Sequence, residues 1–218
     1  MAAGVPEFIA ARRSIRAFLP EPVPRSELDR LIEAACLAPA PHHSRPWRWV
    51  VVDALDRKDA LARGMGDRWR HDLEGDGVPP ERVDELVAAS HAKLTGAPAL
   101  VLGCLTWEGL DRYPDEARQL AEWGMALLSL GAAVENLMLA AAAAALSSCW
   151  VAAPIFCPAE ARNALSLPGD WLPHALVLVG RQDPAYTAPT RPPVPLDELR
   201  AAGVPLVPGS DGASGLAD

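Results

Sequence analysis

The stretch LAEWGMALLSLGAAVENLMLAAAAAAL, residues 120–146, decides the fold, because it is helical in composition and apolar on nearly every side. A helix of this kind is buried on most sides, and one domain rarely encloses a helix of about 40 Å. Gly124 and Gly131 are seven residues apart, so they share a face that a second helix can approach closely. We therefore predict a helix at a homodimer interface; a central helix of a compact α+β core is the alternative. The strongly polar exceptions in the stretch are Glu122, Glu135 and Asn136.

Four apolar segments around the long helix are predicted to form the strands of a sheet. They are residues 47–52, 99–106, 148–153 and 175–180. Helices are predicted over residues 6–13, over a segment that Ser26 caps and Pro39 ends, over residues 115–146, and from Pro158 onward.

Residues 54–96 are predicted to form a variable helical excursion or lid between the first two strands. Pro79-Pro80 is expected to begin a new helix there. The remaining chain is predicted to complete a single domain over residues 1–202, and the small, polar residues 203–218 to form a disordered tail. The glycines expected to break the helices of the excursion are Gly64, Gly66, Gly75 and Gly77.

The composition argues against several classes of partner. The chain has 28 acidic and 20 basic residues and a net charge of −8, which disfavours nucleic acid and anionic membranes. The longest uninterrupted apolar run, Leu137–Leu146, is too short to span a bilayer, and the N-terminus lacks a signal peptide. Four scattered cysteines without a CxxC pair indicate reduced thiols and no zinc site. We predict a cytoplasmic protein.

Two polar segments are candidates for a functional site. The segment RRSIR places Arg12, Arg13, Ser14 and Arg16 together, and arginine forks with a hydroxyl suit a phosphate group. A solvated basic patch is the alternative. The loop APAPHHSRP carries His42 and His43, whose neighbouring side chains diverge and lack further ligands nearby, so no metal site is predicted. The sequence has no GxSxG, GxGxxG or GxxxxGK[ST] motif.

Several segments in order resemble the FMN-dependent nitroreductase family. The resemblance covers roughly residues 6–200, with residues 54–96 as its variable part. It rests on RRSIRAFLPEPVPRSELDRLIEAACLAPAPHHSRPWRWVVV (12–52), GMALLSLGAAVENLMLAAAAAALSSCWVAAPIF (124–156), LPGDWLPHALVLVGRQDP (167–184) and TRPPVPLDEL (190–199).

This resemblance implies an α+β fold with a central, mainly antiparallel sheet flanked by helices. It also implies an intertwined homodimer, with the long helix and FMN at the interface and NAD(P)H as a candidate electron donor. By the resemblance, the phosphate and ribityl chain of FMN are held by Arg12, Arg13, Ser14, Arg16 and Arg191. The flavin is contacted from the other subunit by Pro39, Ala40, Pro41 and His43, and its ring is lined by Ser148, Cys149 and Trp150.

The chain departs from the common family pattern in two places. The usual loop Pro-Ser-Ser-x-Asn-x-Gln-Pro-Trp becomes APAPHHSRPW here, which favours a small anionic substrate. The residues predicted to contact that substrate are His42, Arg45 and Trp69. A family Gly-x-Gly before Ser-Cys-Trp is replaced by Ala145 and Ser147, with an effect that the sequence leaves open.

The loop APAPHHSRPW is similar to one subgroup, the reductase domain of coenzyme F420 biosynthesis. This chain is expected to be a stand-alone version that reduces dehydro-F420-0 with reduced FMN, with His42 or His43 as a candidate proton donor. Three alternatives stay open: a generic NAD(P)H-dependent nitro or quinone reductase, the flavin-cleaving enzyme of B12 lower-ligand synthesis, and a non-catalytic flavin-binding protein.

Overall fold

The computed structural model describes residues 7–199, and the chain divides into two units, residues 1–188 and residues 189–218. The described part of the second unit holds one short helix, α7 (Leu196–Leu199). The single domain over residues 1–202 stays a prediction. The predicted tail over residues 203–218 lies outside the described residues.

The first unit is built on a four-stranded sheet in which every neighbouring pair of strands is antiparallel. The strand order is β1-β2-β4-β3, so β1 and β3 form the two edges. The antiparallel sheet implied by the family resemblance is therefore confirmed. The strands are β1 (Trp47–Val52), β2 (Ala99–Leu105), β3 (Ser147–Val151) and β4 (Leu172–Gly180).

Helices cover both faces of this sheet. Every residue of β2 is buried, and its alternate side chains enter two separate cores: Val101 and Leu105 enter one, Leu100 and Leu102 the other. The first core lies under α2 (Arg25–Ala35) and α5 (Glu116–Ala143). The second lies under three helices, α3 (Leu55–Gly75), α4 (Pro80–Gly96) and α6 (Pro158–Ala164). A short helix, α1 (Glu7–Ala11), precedes these layers.

The long helix α5 is buried along one stripe only. The side chain of its N-cap residue Asp115 accepts a hydrogen bond of 2.9 Å from Arg118 N, which satisfies a free donor of the first turn. Residues such as Ala126, Ala133 and Leu137 face the sheet, whereas Leu128 is 76% exposed. Within one chain, the opposite face has no covering layer in the described residues, and its burial at a homodimer interface stays a prediction.

By length and composition alone, α5 is long and apolar enough to cross a membrane, a property that core helices of soluble proteins share. The prediction of no membrane span was based on the uninterrupted apolar run Leu137–Leu146, which is much shorter than α5. In the structure, the buried stripe of α5 packs on the sheet of the same chain, as a core helix does.

Two of the predicted helix breaks are wrong, because α3 runs through Gly64 and Gly66. A Cβ at Gly64 would lie 3.5 Å from the carbonyl oxygen of Glu160, and one at Gly66 would lie 3.2 Å from Val87. The absence of a side chain at Gly66 therefore lets α4 pack closely against α3, whereas a Cβ at Gly64 would make an ordinary contact with α6. The helix does end at Gly75, and Pro80 begins α4 as predicted.

The predicted start of α2 is also wrong. The helix begins at Arg25, and Pro24 is its N-cap residue without a side-chain hydrogen bond, so Ser26 lies inside the first turn. The extended Pro24 presents its carbonyl oxygen to Leu28 N at 3.2 Å, which starts the helical ladder two residues before a Ser26 cap would allow. The helix ends at Ala35, before Pro39. The predicted β1 and the start of α6 at Pro158 are confirmed.

Candidate active site

A cavity of about 230 Å³ lies at the start of the edge strand β3. Its lining includes two guanidinium groups, two hydroxyl groups and one amide, and we call these residues the arginine corner: Arg12, Arg13, Ser147, Ser148 and Gln182. The structure thereby brings the predicted RRSIR segment together with the predicted Ser-Cys-Trp strand. The lining contains no carboxylate.

Backbone pairing explains why the RRSIR segment lies there. Ser14 forms an isolated parallel bridge with Ser148, and Ile15 N donates to the carbonyl oxygen of Ser148 at 3.0 Å. Farther along, Phe18 pairs with Gln182. The extended segment after α1 therefore adds to the outer edge of β3 and fixes the backbone beside the cavity.

The charges of the arginine corner fit a phosphate group. Guanidinium, hydroxyl and amide groups are all hydrogen-bond donors, and arginine recognises phosphate oxygens in a forked geometry. Arg12 Nε lies 3.1 Å from Glu135 Oε1, an ion pair that holds this side chain over α5. Arg16 is exposed and lies outside the lining, and its Nη1 is 3.4 Å from the carbonyl oxygen of Ser14.

The backbone at Ala145 explains why glycines suit this place in relatives. Ala145 has a φ of 56°, in the left-handed region that favours glycine, and it lines the same cavity. Ser147, the second replaced position, contributes its hydroxyl-bearing side chain to the lining. Sequence reasoning missed Gln182, whose only signal is its position two residues after the last strand.

Along β3, the predicted ring-lining residues differ in exposure. Cys149 is buried in the second core, so its contribution to a ligand falls to its backbone, whereas Trp150 is 40% exposed. Burial raises the pKa of the Cys149 thiol, and the nearby positive charges of Arg16 and Lys93 oppose this shift more weakly. Both cations therefore lie near this strand.

A second cavity, of about 420 Å³, lies between β3 and the α3–α4 hairpin, and we call it the hairpin cavity. It is lined by Trp69, which was predicted to contact substrate, and by Val151 at the end of β3. Lys93 also lines it and has no ion-pair partner among residues 7–199. Burial raises the pKa of Cys157, another lining residue, to about 11, so that thiol stays protonated at neutral pH.

The predicted substrate loop, residues 39–46, is strained and open; we call it the histidine loop. His42 and His43 both have a φ of 52°, and Arg45 has a φ of 47°, so three residues with side chains occupy the left-handed region. All three side chains are exposed. None of them has a hydrogen-bond or ion-pair partner within the part of the chain that the structure describes.

The histidine loop and the arginine corner lie at diagonally opposite corners of the sheet. The loop leads into Trp47, whose ladder runs through Leu105 to Leu172, whereas Ser148 pairs with Val179. These two rows are separated by seven residues of β4, or about 24 Å, and the edges by three strand spacings, or about 14 Å. One chain therefore does not bring the two predicted halves of the site together.

Aromatic side chains occupy the same end of the sheet as the histidine loop. The rings of Trp107 and Trp123 are 4.4 Å apart, Trp123 meets His174 edge-on at 5.6 Å, and Arg112 lies 4.8 Å from the Trp107 ring. Burial lowers the pKa of His174, and a hydrogen bond with the carbonyl oxygen of Leu172 at 2.7 Å opposes that shift.

The remaining predictions for the site concern Arg191 and metal ligands. Arg191 is an exposed residue of the second unit, and its assignment to the phosphate stays a prediction. Among residues 7–199, no group of three or more His, Cys, Asp or Glu side chains is placed to hold a metal ion.

The family model described as "Nitroreductase family" matches residues 9–181 of the chain. This chain belongs to the nitroreductase family. The match contains the histidine loop, the long helix α5 and every residue of the arginine corner except Gln182.

This nitroreductase-family chain is similar to proteins with different described activities. It is 29% identical over 172 residues to 5,6-dimethylbenzimidazole synthase from Rhodospirillum rubrum, covering 78% of this chain and 77% of that protein. It is 38% identical over 80 residues to iodotyrosine deiodinase 1 from Rattus norvegicus, but that match spans 31% of this chain and only 28% of the deiodinase. The activity of the deiodinase as a whole protein is therefore a weak guide.

Solved structures share the fold. A nitroreductase in complex with FMN from Desulfovibrio desulfuricans has a TM-score of 0.66 at 25% identity, over 89% of this chain and 94% of that chain. A BluB-like flavoprotein from Clostridium difficile has a TM-score of 0.70 at 22% identity, over 89% of this chain and 96% of that chain. The predicted nitroreductase-like α+β fold is confirmed.

Proposed function

We propose that the chain reduces a small anionic substrate at a site assembled from two copies, with the arginine corner of one and the histidine loop of the other. The prediction of an FMN-dependent oxidoreductase is confirmed by the family match and by the FMN complex of a relative. The diagonal separation of the two corners supports the second copy, because both cannot touch one mononucleotide within a single chain.

The arginine corner is proposed to hold the phosphate of FMN. Arg13 and Gln182 supply N–H donors and Ser147 supplies a hydroxyl around the cavity, and Arg12 adds positive charge while paired with Glu135. The chemistry that FMN supplies when bound is the transfer of a hydride to an electron-poor double bond. From the arginine corner, β3 leads toward the hairpin cavity, where Trp69 offers an aromatic face and Lys93 a positive charge.

The open face of α5 is proposed to meet its counterpart in the second copy. Leu120 and Leu128 are 68% and 76% exposed on this helix, and a Cβ at Gly124 or Gly131 would meet no atom of another element within 4 Å among residues 7–199. Exposed leucines beside glycines allow two helices to approach closely and remove apolar surface from water.

The substrate is proposed to be dehydro-F420-0, which carries a phosphodiester and carboxylates and is reduced to F420-0. The observation that carries this proposal is the histidine loop, because two imidazoles and a guanidinium without partners in the described chain form a ready anion site. Arg45 holds an anionic group through its forked N–H donors. An imidazole N–H of His42 or His43 delivers the proton that completes the reduction of the double bond.

The test is reoxidation of the reduced, FMN-loaded protein by dehydro-F420-0 without oxygen. We expect stoichiometric reoxidation by the wild type and by Arg30→Gln, a change at an exposed arginine of α2, and a slower reaction in Arg45→Gln. A reduced protein that is not reoxidised by dehydro-F420-0 but is reoxidised by quinones or nitroaromatics would instead be a generic reductase. Equal reoxidation rates in Arg45→Gln and Arg30→Gln would show that the histidine loop does not bind the substrate.

A second candidate is 5,6-dimethylbenzimidazole synthesis from the flavin itself. It is favoured by the relative of that name, which aligns with 78% of this chain. Exposing the reduced, FMN-loaded protein to oxygen and analysing the products by mass spectrometry separates the candidates. Dimethylbenzimidazole would support this second function, and intact FMN would support the proposed one.

A further inference from the structure

Arg48 lies beneath the histidine loop and binds its backbone. Its Nη1 donates to the carbonyl oxygen of Trp47 at 2.8 Å and lies 3.4 Å from that of Arg45. Its Nη2 forms an ion pair with Glu108. One guanidinium thus links the end of the loop, the first residue of β1 and the turn that follows β2.

The turn after β2 fits tightly against the loop. Gly109 has a φ of 80°, and a Cβ there would lie 3.1 Å from the carbonyl oxygen of Ser44. Thr106 N donates to the carbonyl oxygen of Pro46 at 2.9 Å. Glycine is therefore required at 109 by both its backbone and its neighbour, and this contact fixes Glu108 beside the loop.

The histidine loop needs such a support. Left-handed residues that carry side chains persist only where the surrounding structure holds them. The side chains of His42, His43 and Arg45 make no hydrogen bond or ion pair among residues 7–199, so they do not hold the loop themselves. Besides the loop's own backbone hydrogen bonds, the contacts that hold its C-terminal half come from Arg48 and from the segment after β2 that contains Thr106, Glu108 and Gly109.

We propose that Arg48 and Glu108 are a positioning pair that keeps the histidine loop in its substrate-binding conformation. The role of the loop in substrate binding rests on the proposed function; the support of its backbone does not. Among residues 7–199, the polar contacts of the Arg48 guanidinium are with backbone carbonyls and Glu108, so it acts through the three side chains that the loop presents.

The first test measures amide hydrogen exchange in the FMN-loaded protein and needs no substrate. The amides of His43 and Ser44 donate within the loop, to the carbonyl oxygens of Ala40 and Pro41 at 3.1 and 3.0 Å. We expect Arg48→Met and Glu108→Gln to speed their exchange about tenfold. Arg25→Met is the control, because Arg25 forms only an exposed pair with Asp29 on α2. Unchanged exchange in Arg48→Met would overturn the proposal.

The second test separates positioning from direct substrate contact. Arg48→Met is expected to raise the KM for dehydro-F420-0 about tenfold, with kcat and the Kd of FMN within about twofold of wild type. Arg48→Lys should recover part of the loss, because lysine keeps the pair with Glu108 but cannot span both carbonyls. A raised KM with unchanged loop exchange would make Arg48 a substrate contact and refute positioning. If dehydro-F420-0 is not turned over, the proposed function fails and the exchange measurement alone decides.

Discussion

The arginine corner and the histidine loop contain similar cationic groups but are built in opposite ways. At the arginine corner, strand-like pairing of Ser14 with Ser148 fixes the backbone, and Arg12 is paired with Glu135. In the histidine loop, three left-handed residues present exposed side chains that have no partner in the described chain. The first arrangement suits a cofactor that stays bound, and the second suits a substrate that comes and goes.

The difference also concerns position. The two regions lie at diagonal corners of one sheet, so one chain does not bring them together. In the proposed dimer, a twofold axis at α5 brings each arginine corner to the histidine loop of the other copy. Separating the two copies should therefore impair both regions at once, whereas weakening one region at a time should show that the two have different roles.

The largest effect is expected from Leu128→Asp on the open face of α5. A buried, unpaired carboxylate at a helix–helix interface is strongly unfavourable, so we expect dissociation of the dimer and loss of bound FMN. Light scattering and the absorption spectrum of the purified protein measure both. Leu55→Asp, at the exposed start of α3, is the control and should change neither. A variant that stays dimeric and yellow would place the interface elsewhere.

Arg13→Ala should act on cofactor binding. Loss of a charge-assisted hydrogen bond of about 2 kcal/mol raises the Kd of FMN about 30-fold, with little change in Tm. Titration of the apoprotein by flavin fluorescence measures this Kd, with Arg30→Ala as the control. Arg12→Ala and Arg191→Ala are predicted to weaken FMN binding as well, although removing Arg12 also leaves Glu135 without this partner.

Arg45→Ala should act on the substrate and spare the cofactor. We expect the KM for the anionic substrate to rise about tenfold and the Kd of FMN to stay within about twofold of wild type, because one exposed ionic contact is lost. Steady-state kinetics and the flavin titration give both quantities. Loss of the flavin from this variant would contradict the separation of roles between the two regions.

We expect acid to lower the stability of the folded protein through His174, which lies at the end of the sheet beside the histidine loop. Burial lowers the pKa of His174 below its ordinary value of 6.5, so the folded state takes up this proton less readily than the unfolded chain. The stability contributed by neutral His174 is present above pH 6.5 and lost as the pH falls below it. His174→Gln should reduce the fall in Tm between pH 7.5 and pH 5.5 by about 2 °C. The exposed His71→Gln should not; equal curves for the two variants would refute the assignment.

The smallest expected effect is a gain at the arginine corner. The left-handed backbone of Ala145 destabilises the folded state by about 1 kcal/mol. Glycine would remove this strain while adding flexibility to the unfolded chain. Ala145→Gly should therefore raise Tm by about 1–2 °C. Ala142→Gly, in the last turn of α5 beside the same cavity, should lower Tm. A drop in both variants would contradict the strain at 145.

Local signals explain what the sequence could predict. The run Trp47–Val52 is aromatic and β-branched, and a proline precedes it, so its bounds agree with the structure. Pro158 marks a helix start because its fixed φ suits the first turn. Part of the arginine corner is predictable from the sequence, since RRSIR is a local cluster of cationic residues and resembles a family segment.

The misses depend on contacts between distant residues. Gly64 and Gly66 look like helix breakers, but α3 continues through both, and at Gly66 the close approach of Val87 on α4 favours a residue without a side chain. Gln182 has no signal beyond its position after the last strand, and its pairing with the distant Phe18 fixes its backbone near the arginine corner. The diagonal arrangement depends on strand order and register, which residue patterns along one chain do not specify.

The most direct test of the two-copy site is a mixed dimer of Arg13→Ala and Arg45→Ala chains, purified through two different tags, titrated with FMN, and then reduced and reoxidised by dehydro-F420-0. If each site combines the arginine corner of one chain with the histidine loop of the other, one site carries both substitutions and one carries neither. We therefore predict one intact site per dimer, which binds FMN with wild-type affinity and is reoxidised at the wild-type rate. Two impaired sites, one weakened in FMN binding and the other slow in reoxidation, would show that both regions act within the same chain and would contradict the account.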